Sequence, residues 1–273
     1  MQQGKTVFAA HDSRGLGEFV FLHPPGTFAL TPASLIALRA IAENQSLLRG
    51  VGLDWGSGVG CLGIAACRIP SVTRVVGLEL SASNVAVARE NAWRNGVAEK
   101  AEFVEADSYA PKITEGRDLL AALRGKGDFL IANPPSSDGD DGFGYRRAVL
   151  SGAHEFLRDA AVVFLSVSFQ YGPGRVRDLC VRFPEFSFRC VLASTEWVPF
   201  DLRRPDLLDC LKLYAEEEHK GGMPYIFPDG RKREGAFMDA RAALARFFET
   251  GENPLTKWQS LLFQFRVGAG ARR

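Results

Sequence analysis

The chain has 273 residues, 46% hydrophobic and 24% charged, with a formal net charge of +1. That size and apolar share exclude a disordered chain and one that depends on disulfide or metal staples. The charge balance excludes a strongly basic nucleic-acid coat or an acidic tail as its main business.

In chain order, Thr31-Pro32 is a helix start, because Thr supplies an N-cap oxygen and Pro fits the first turn. Leu35, Ile36, Leu38 and Ile41 follow on one face, so residues 1–48 read as an N-terminal segment with a cap helix. Apolar runs at 51–55, 73–80, 101–105, 128–132, 161–169 and 186–192 then predict six strands. Helical patterns alternate with them near 60–68, 83–95, 117–123, 147–158 and 175–182. Strands alternating with helices predict an α/β fold, a doubly wound and mostly parallel sheet. After the sixth strand the pattern breaks. Residues 201–257 are rich in charge, glycine and proline, with helical stretches near 207–218 and 235–249. Residues 258–267 read as a last strand, so the piece before it is an insertion into a core of residues 49–200 and 258–273.

The first strand runs into Asp54-Trp55-Gly56-Ser57-Gly58-Val59-Gly60. Alternate glycines let the backbone turn tightly and approach a ligand, at the start of a helix whose free N–H groups face the same spot. Glu79 ends the second strand, where doubly wound folds place an acid for ribose hydroxyls. Asp107, followed by Ser108, ends the third strand, and Asn133-Pro134-Pro135 ends the fourth. All four features fall at the carboxyl ends of consecutive strands, the ligand edge of such sheets. Asp54 at the head of the loop would repel a pyrophosphate. It suits a cofactor with a positive charge and an amino group.

In Asn133-Pro134-Pro135, an amide oxygen and a backbone carbonyl, locked by two prolines, can accept both hydrogens of a target NH2. That aligns the nitrogen lone pair for in-line attack, an effect of orientation.

These residues resemble the class I S-adenosylmethionine-dependent methyltransferases with an NPP motif. The resemblance covers roughly residues 31–191, with 258–267 as the closing strand, which makes the expected sheet seven-stranded and Rossmann-like. It implies S-adenosyl-L-methionine as cofactor and S-adenosyl-L-homocysteine as product. It also implies that Gly56, Gly58 and Gly60, with Asp54 nearby, hold the amino-acid part of the cofactor. Glu79 then holds the ribose, and Asp107 with Ser108 the adenine. Asn133, Pro134 and Pro135 become the catalytic residues. The stretch that follows is similar to the small-domain, release-factor glutamine methyltransferase group. Members with this motif methylate exocyclic or amide nitrogens, so the expected acceptor is an amine or amide of a protein or nucleic acid. A small metabolite is the alternative within the enzyme class, and a cofactor-binding partner subunit without catalysis is the alternative outside it.

Two features depart from that pattern. The position after the motif, aromatic in those families, is Ser136, so an acceptor-stacking ring must come from elsewhere, with Phe28, Tyr145 and Trp197 as candidates beside Phe143 and Tyr225. In the resembled superfamily the last strand is antiparallel, which places the insertion at 201–257 over the active site as a substrate-side lid. The basic pieces Arg146-Arg147, Arg203-Arg204 and Arg231-Lys232-Arg233 read as solvated faces, with a phosphate-contacting patch as the sharper alternative. His11 and His23 lie upstream of the cap helix as structural histidines or proton acceptors. The five cysteines show no C-x-x-C or zinc spacing, which reads as free thiols and no bound metal. The N-terminus lacks a signal-peptide core, and the longest apolar stretch, around 160–167, is far short of the ~20 residues a membrane helix needs. The expectation is a cytoplasmic protein with no membrane partner.

Overall fold

The computed structural model describes residues 4–27, 30–229 and 235–268. The chain begins with the strands β1 (Lys5–Phe8) and β2 (Phe19–Leu22), then helix α1 (Pro32–Glu43). An alternating core follows as β3 (Gly50–Trp55), α2 (Cys61–Cys67), β4 (Val72–Glu79), α3 (Ala82–Arg94), β5 (Ala101–Asp107) and the short β6 (Ala110–Pro111). It continues as α4 (Thr114–Ala122), β7 (Gly127–Ala132), α5 (Gly144–Ala153), β8 (Leu157–Ser166), α6 (Gly172–Arg182) and β9 (Phe186–Ser194). Last come β10 (Val198–Pro199), α7 (Pro205–His219), β11 (Phe227–Pro228), β12 (Phe237–Met238), α8 (Ala240–Thr250), β13 (Leu255–Thr256) and β14 (Gln259–Phe265).

The main sheet has the order β6-β5-β4-β3-β7-β8-β14-β9. The strands β3, β4, β5, β7 and β8 are parallel, and β14 is antiparallel to both β8 and β9. All seven expected strands are present. The eighth, β6, is a two-residue edge piece folded back on the end of β5. The chain builds outward from β3 to β5, then returns to β7 on the other side of β3. That reversal opens a crevice at the carboxyl ends of β3 and β7.

The central strands are apolar throughout because helices cover both faces. Alternate residues of β7 serve opposite cores. Phe129 and Ile131 pack with α1, α2 and α3, whereas Leu130 and Ala132 pack with α5 and the 200–243 region. In α1 the Thr31 cap forms as expected, with a reciprocal bond to Ser34. Ile36, Leu38 and Ile41 are buried, but Leu35 faces solvent. Helix α5 starts at Gly144 and stops at Ala153, short of the expected residue 158. The chain must turn there to enter β8 at Leu157, with a register shift against β7 and a left-handed Ala160 (φ 65°).

The β1–β2 hairpin has no counterpart in the sequence reading. Two four-residue strands are marginal alone, and α3 supplies what they lack. Asn91 Oδ1 accepts from Leu22 N–H at 2.9 Å and its Nδ2 donates to the Leu22 and Val59 carbonyls. One helical turn on, Asn95 repeats this with Val20. These amides pair the outer edge of β2 as a further strand would.

The insertion leaves the sheet after Ser194 and returns at Gln259, which pairs with Ser194. Both ends therefore lie on the carboxyl edge. Its Phe200, Leu211, Tyr214, Tyr225 and Phe227 share one apolar cluster with Leu130, Val163 and Leu165 of the sheet. Among the described residues the region forms no separate core; it is packed into that of the sheet.

Candidate active site

Two cavities open at the carboxyl edge and share a common wall, Asn133-Pro134-Pro135. The first, of about 370 Å³, lies over the glycine loop. Gly56, Ser57 and Gly58 form its floor, and Glu79, Asp107 and Ser108 its sides. Gly56 and Gly58 hold φ of 65° and 54°, which favours glycine, and a Cβ at Gly56 would meet nothing but open space. Glu79 Oε2 accepts from Gly58 N–H at 2.8 Å, while Oε1 accepts from Ser81 N–H and Asn84 Nδ2. These bonds fix the carboxylate and still leave lone pairs for a ligand. Asp107 is exposed, and Ser108 takes a left-handed φ of 55° with its Oγ accepting from Trp55 Nε1 at 3.0 Å.

Two expected loop residues stand behind this cavity instead of lining it. Asp54 is buried, and its Oδ2 accepts from Gly63 N–H at 2.8 Å, tying the strand end to the first turn of α2. Burial, aided by the nearby Glu79 charge and opposed by the Gly63 bond, pushes its carboxyl up to about 7. Gly60 is a packing glycine, because a Cβ there would lie 2.8 Å from Phe103 and 3.0 Å from Ala88. Their spacing matched a ligand loop, and both brace it from behind, Asp54 through Gly63 and Gly60 against Phe103 and Ala88.

The cavity suits the expected cofactor. Among the described residues no lysine or arginine lines it, while Glu79 and Asp107 do, which fits a cationic amino-acid-bearing ligand and opposes a pyrophosphate. The Ser57 hydroxyl, in the floor, is buried without a hydrogen-bond partner in the protein. Such a group awaits a ligand atom or water.

The second cavity, of about 270 Å³, lies on the other side of the motif. Thr31 and Pro32 of the α1 start, Ser166 at the end of β8, Gln170 after it, and Arg204, Cys210 and Tyr214 of the insertion surround it. Asn133 Nδ2 donates to Ser34 Oγ at 3.3 Å, which leaves its amide oxygen for an incoming N–H. The motif is clamped from below by Arg146, a residue that the sequence placed on a solvated face. It is only 4% exposed and donates to the carbonyls of Pro134 (3.0 Å), Pro135 (3.0 Å), Gly142 (3.2 Å) and Ser166 (3.0 Å). Its guanidinium also lies over the rings of Tyr171 and Phe143. The other described arginines of the basic pieces are paired. Arg147 bonds Asp140 and Asp141, Arg203 bonds Asp201, and Arg204 bonds Asp206. Arg231-Lys232-Arg233 lies outside the described residues.

The ring candidates separate. Tyr145 borders the first cavity, 6.3 Å from Trp55. Trp197 lines neither cavity and packs on Phe169 and Lys257, which corrects its expected place. Phe28 lies outside the described residues. Beside Ser136, the ring comes from the insertion: Tyr214 OH lies 3.5 Å from Ser136 Oγ and bonds Tyr171 OH at 2.9 Å, and its ring stacks on Tyr225 at 4.0 Å. His11 and His23 line neither cavity, and His23 bonds Thr6 Oγ1.

The model of the methyltransferase small domain matches residues 18–170, more than half of the chain. The chain therefore belongs to the methyltransferase small domain family, a class of S-adenosylmethionine-dependent enzymes. It is 40% identical over 84 residues to the release factor glutamine methyltransferase of Chlorobaculum tepidum, covering 30% of this chain and 26% of that one. It is 27% identical over 201 residues to the release factor glutamine methyltransferase of Nitratidesulfovibrio vulgaris, covering 65% and 63%. Each match spans less than two thirds of the relative's own length. A solved tRNA methyltransferase from M. jannaschii shares the fold at a TM-score of 0.53 with 10% identity, covering 98% of this chain and 56% of that one.

Proposed function

We propose that this chain transfers a methyl group from S-adenosylmethionine to an amine or amide nitrogen, with a protein carboxamide side chain as the foremost acceptor. The observation that carries this reading is the shared wall. Asn133-Pro134-Pro135 separates an acidic cavity fitted to a cationic cofactor from a second cavity sized for a head group. When bound, the cofactor supplies a methyl group on positively charged sulfur. Glu79 takes the ribose, Asp107 and Ser108 the adenine side, and Gly56 to Gly58 the amino-acid part. The Asn133 amide oxygen and the second lone pair of the Pro134 carbonyl accept the hydrogens of the acceptor NH2. That would point the nitrogen lone pair toward the cofactor cavity, where the cofactor would supply the methyl group and keep the sulfur as its neutral thioether, and the nitrogen would release its proton afterwards. Arg146 keeps both proline carbonyls in place.

The relatives named for release factors favour a protein acceptor, and the paired arginines give no support to a phosphate-binding face. A small metabolite is the second reading, because Arg204, Cys210 and Tyr214 of the insertion wall the acceptor cavity as a substrate-side lid. Five unpaired thiols suit a reducing cytoplasm, and among the described residues no helix is long and apolar enough to cross a membrane.

The test separates binding from transfer. Glu79→Ala and Asp107→Ala should each weaken S-adenosylhomocysteine binding in calorimetry by about tenfold or more. Asn133→Ala should bind it as the native protein does and lose about a hundredfold in turnover. Equal cofactor binding in all three variants would refute the assignments.

A further inference from the structure

The acceptor cavity holds one polar group that the mechanism above does not use. Ser166 ends β8, is 4% exposed and lines the cavity, yet its hydroxyl has no hydrogen-bond partner among the described residues. Two polar atoms near it in the lining are engaged. Gln170 Oε1 accepts from Thr256 Oγ1, and Tyr214 OH bonds Tyr171 OH. A buried hydroxyl left unpaired costs folding free energy, so its retention points to a ligand or water atom.

Its position beside the motif is set by the sheet. In the parallel pairing of β7 with β8, Ile131 faces Phe164 and Ala132 faces Leu165. One step further places Asn133 beside Ser166. The Arg146 guanidinium confirms the closeness, since it donates at 3.0 Å to both the Pro134 and the Ser166 carbonyls. Asn133 and Ser166 thus follow neighbouring strand ends and line one cavity.

We infer that Ser166 is the second anchor of the acceptor head group, and that the pair selects a carboxamide over a simple amine. The inference rests on the acceptor cavity proposed above. An amine nitrogen offers N–H donors, which the Asn133 oxygen and the Pro134 carbonyl satisfy. A carboxamide also carries a carbonyl oxygen that needs a donor. The Asn133 amide nitrogen gives one of its hydrogens to Ser34, and the Ser166 O–H is a donor on the neighbouring strand with no partner among the described residues. The two contacts fix the plane of the carboxamide and therefore the direction of its nitrogen lone pair.

The test uses small probes with the S-adenosylhomocysteine complex, followed by ligand-observed NMR. Propionamide presents the carboxamide alone, and aniline presents a neutral flat amine. Ser166→Ala should weaken propionamide about tenfold and leave aniline and S-adenosylhomocysteine unchanged. The melting temperature should stay level or rise, because no bond inside the protein is lost. Should the alanine variant fail to fold, Ser166→Cys keeps the volume with a weaker donor and should show the same ordering. Unchanged propionamide affinity, an equal loss for aniline, or a lowered melting temperature with unchanged binding would overturn the assignment. No propionamide binding beside normal S-adenosylhomocysteine binding would also overturn it, while leaving the cofactor reading intact. Failure to bind S-adenosylhomocysteine would remove the proposed function and this inference together.

Discussion

Asp54 shows how a single residue can keep its place in a motif and change its work. Its carboxyl faces the back of the loop, holds α2 through Gly63, and carries one oxygen with no partner. Burial raises it to about 7, so between about pH 4 and 7 the folded protein holds a proton that the unfolded chain has released. Stability should therefore fall as pH rises through that window. Asp54→Asn removes the titration. Melting curves from about pH 4.5 to 8 should fall less steeply for the variant than for the native protein. Parallel profiles would show that Asp54 ionises normally. The places of Asp107 and Asn133 in the cavity walls were legible because they follow from position at a strand end. Arg146 was not, because one Arg of an Arg-Arg pair is buried and the other half-buried against Asp140 and Asp141, and only the turn into α5 decides which. Ser166 was hidden for a similar reason: its significance lies in a register partner on the neighbouring strand and in a bond it does not make.

Among the elements, the long strands and the helices between them were readable from apolar runs and 3.6-residue periodicity. The β1–β2 hairpin was not, since four-residue strands give little alternation and their outer edge is paired by side chains of α3. Asn91 and Asn95 sit one turn apart on that helix, a spacing that becomes informative only once β2 is known to lie against it. Replacing both with Ala leaves strand groups unpaired, at a cost of about 2–4 kcal/mol. The melting temperature should drop, and limited proteolysis should cut first within 9–18 between the two strands. Cleavage there at the native rate would mean that apolar packing of Phe19 and Phe21 holds the hairpin without the amides.

At the scale of the molecule, the reversal between β3 and β7 creates the crevice, and the antiparallel β14 brings both ends of the insertion to it. The insertion was legible as a break in the alternation, but its integration into the core was not. Tyr214 and Tyr225 reach back to Ser136 and to the Asp141 carbonyl, and the fully buried Arg175 lies 3.7 Å over the Tyr225 ring. Removing residues 201–257 would therefore expose the sheet, and point variants at Tyr214 examine the lid role more cleanly. Tyr214→Phe should retain transfer because the ring still stacks on Tyr225. Tyr214→Ala should lower transfer while sparing S-adenosylhomocysteine affinity, and equal transfer by both variants would remove the lid role.

The central claim is nitrogen methylation across the Asn133-Pro134-Pro135 wall. It is tested most directly by incubating the protein with methyl-labelled S-adenosylmethionine and a cell extract. The account predicts acid-precipitable label that protease releases and nuclease does not, absent with Asn133→Ala although that variant still binds the cofactor. Undiminished labelling by Asn133→Ala, or no label in any fraction from native protein with cofactor bound, would contradict it.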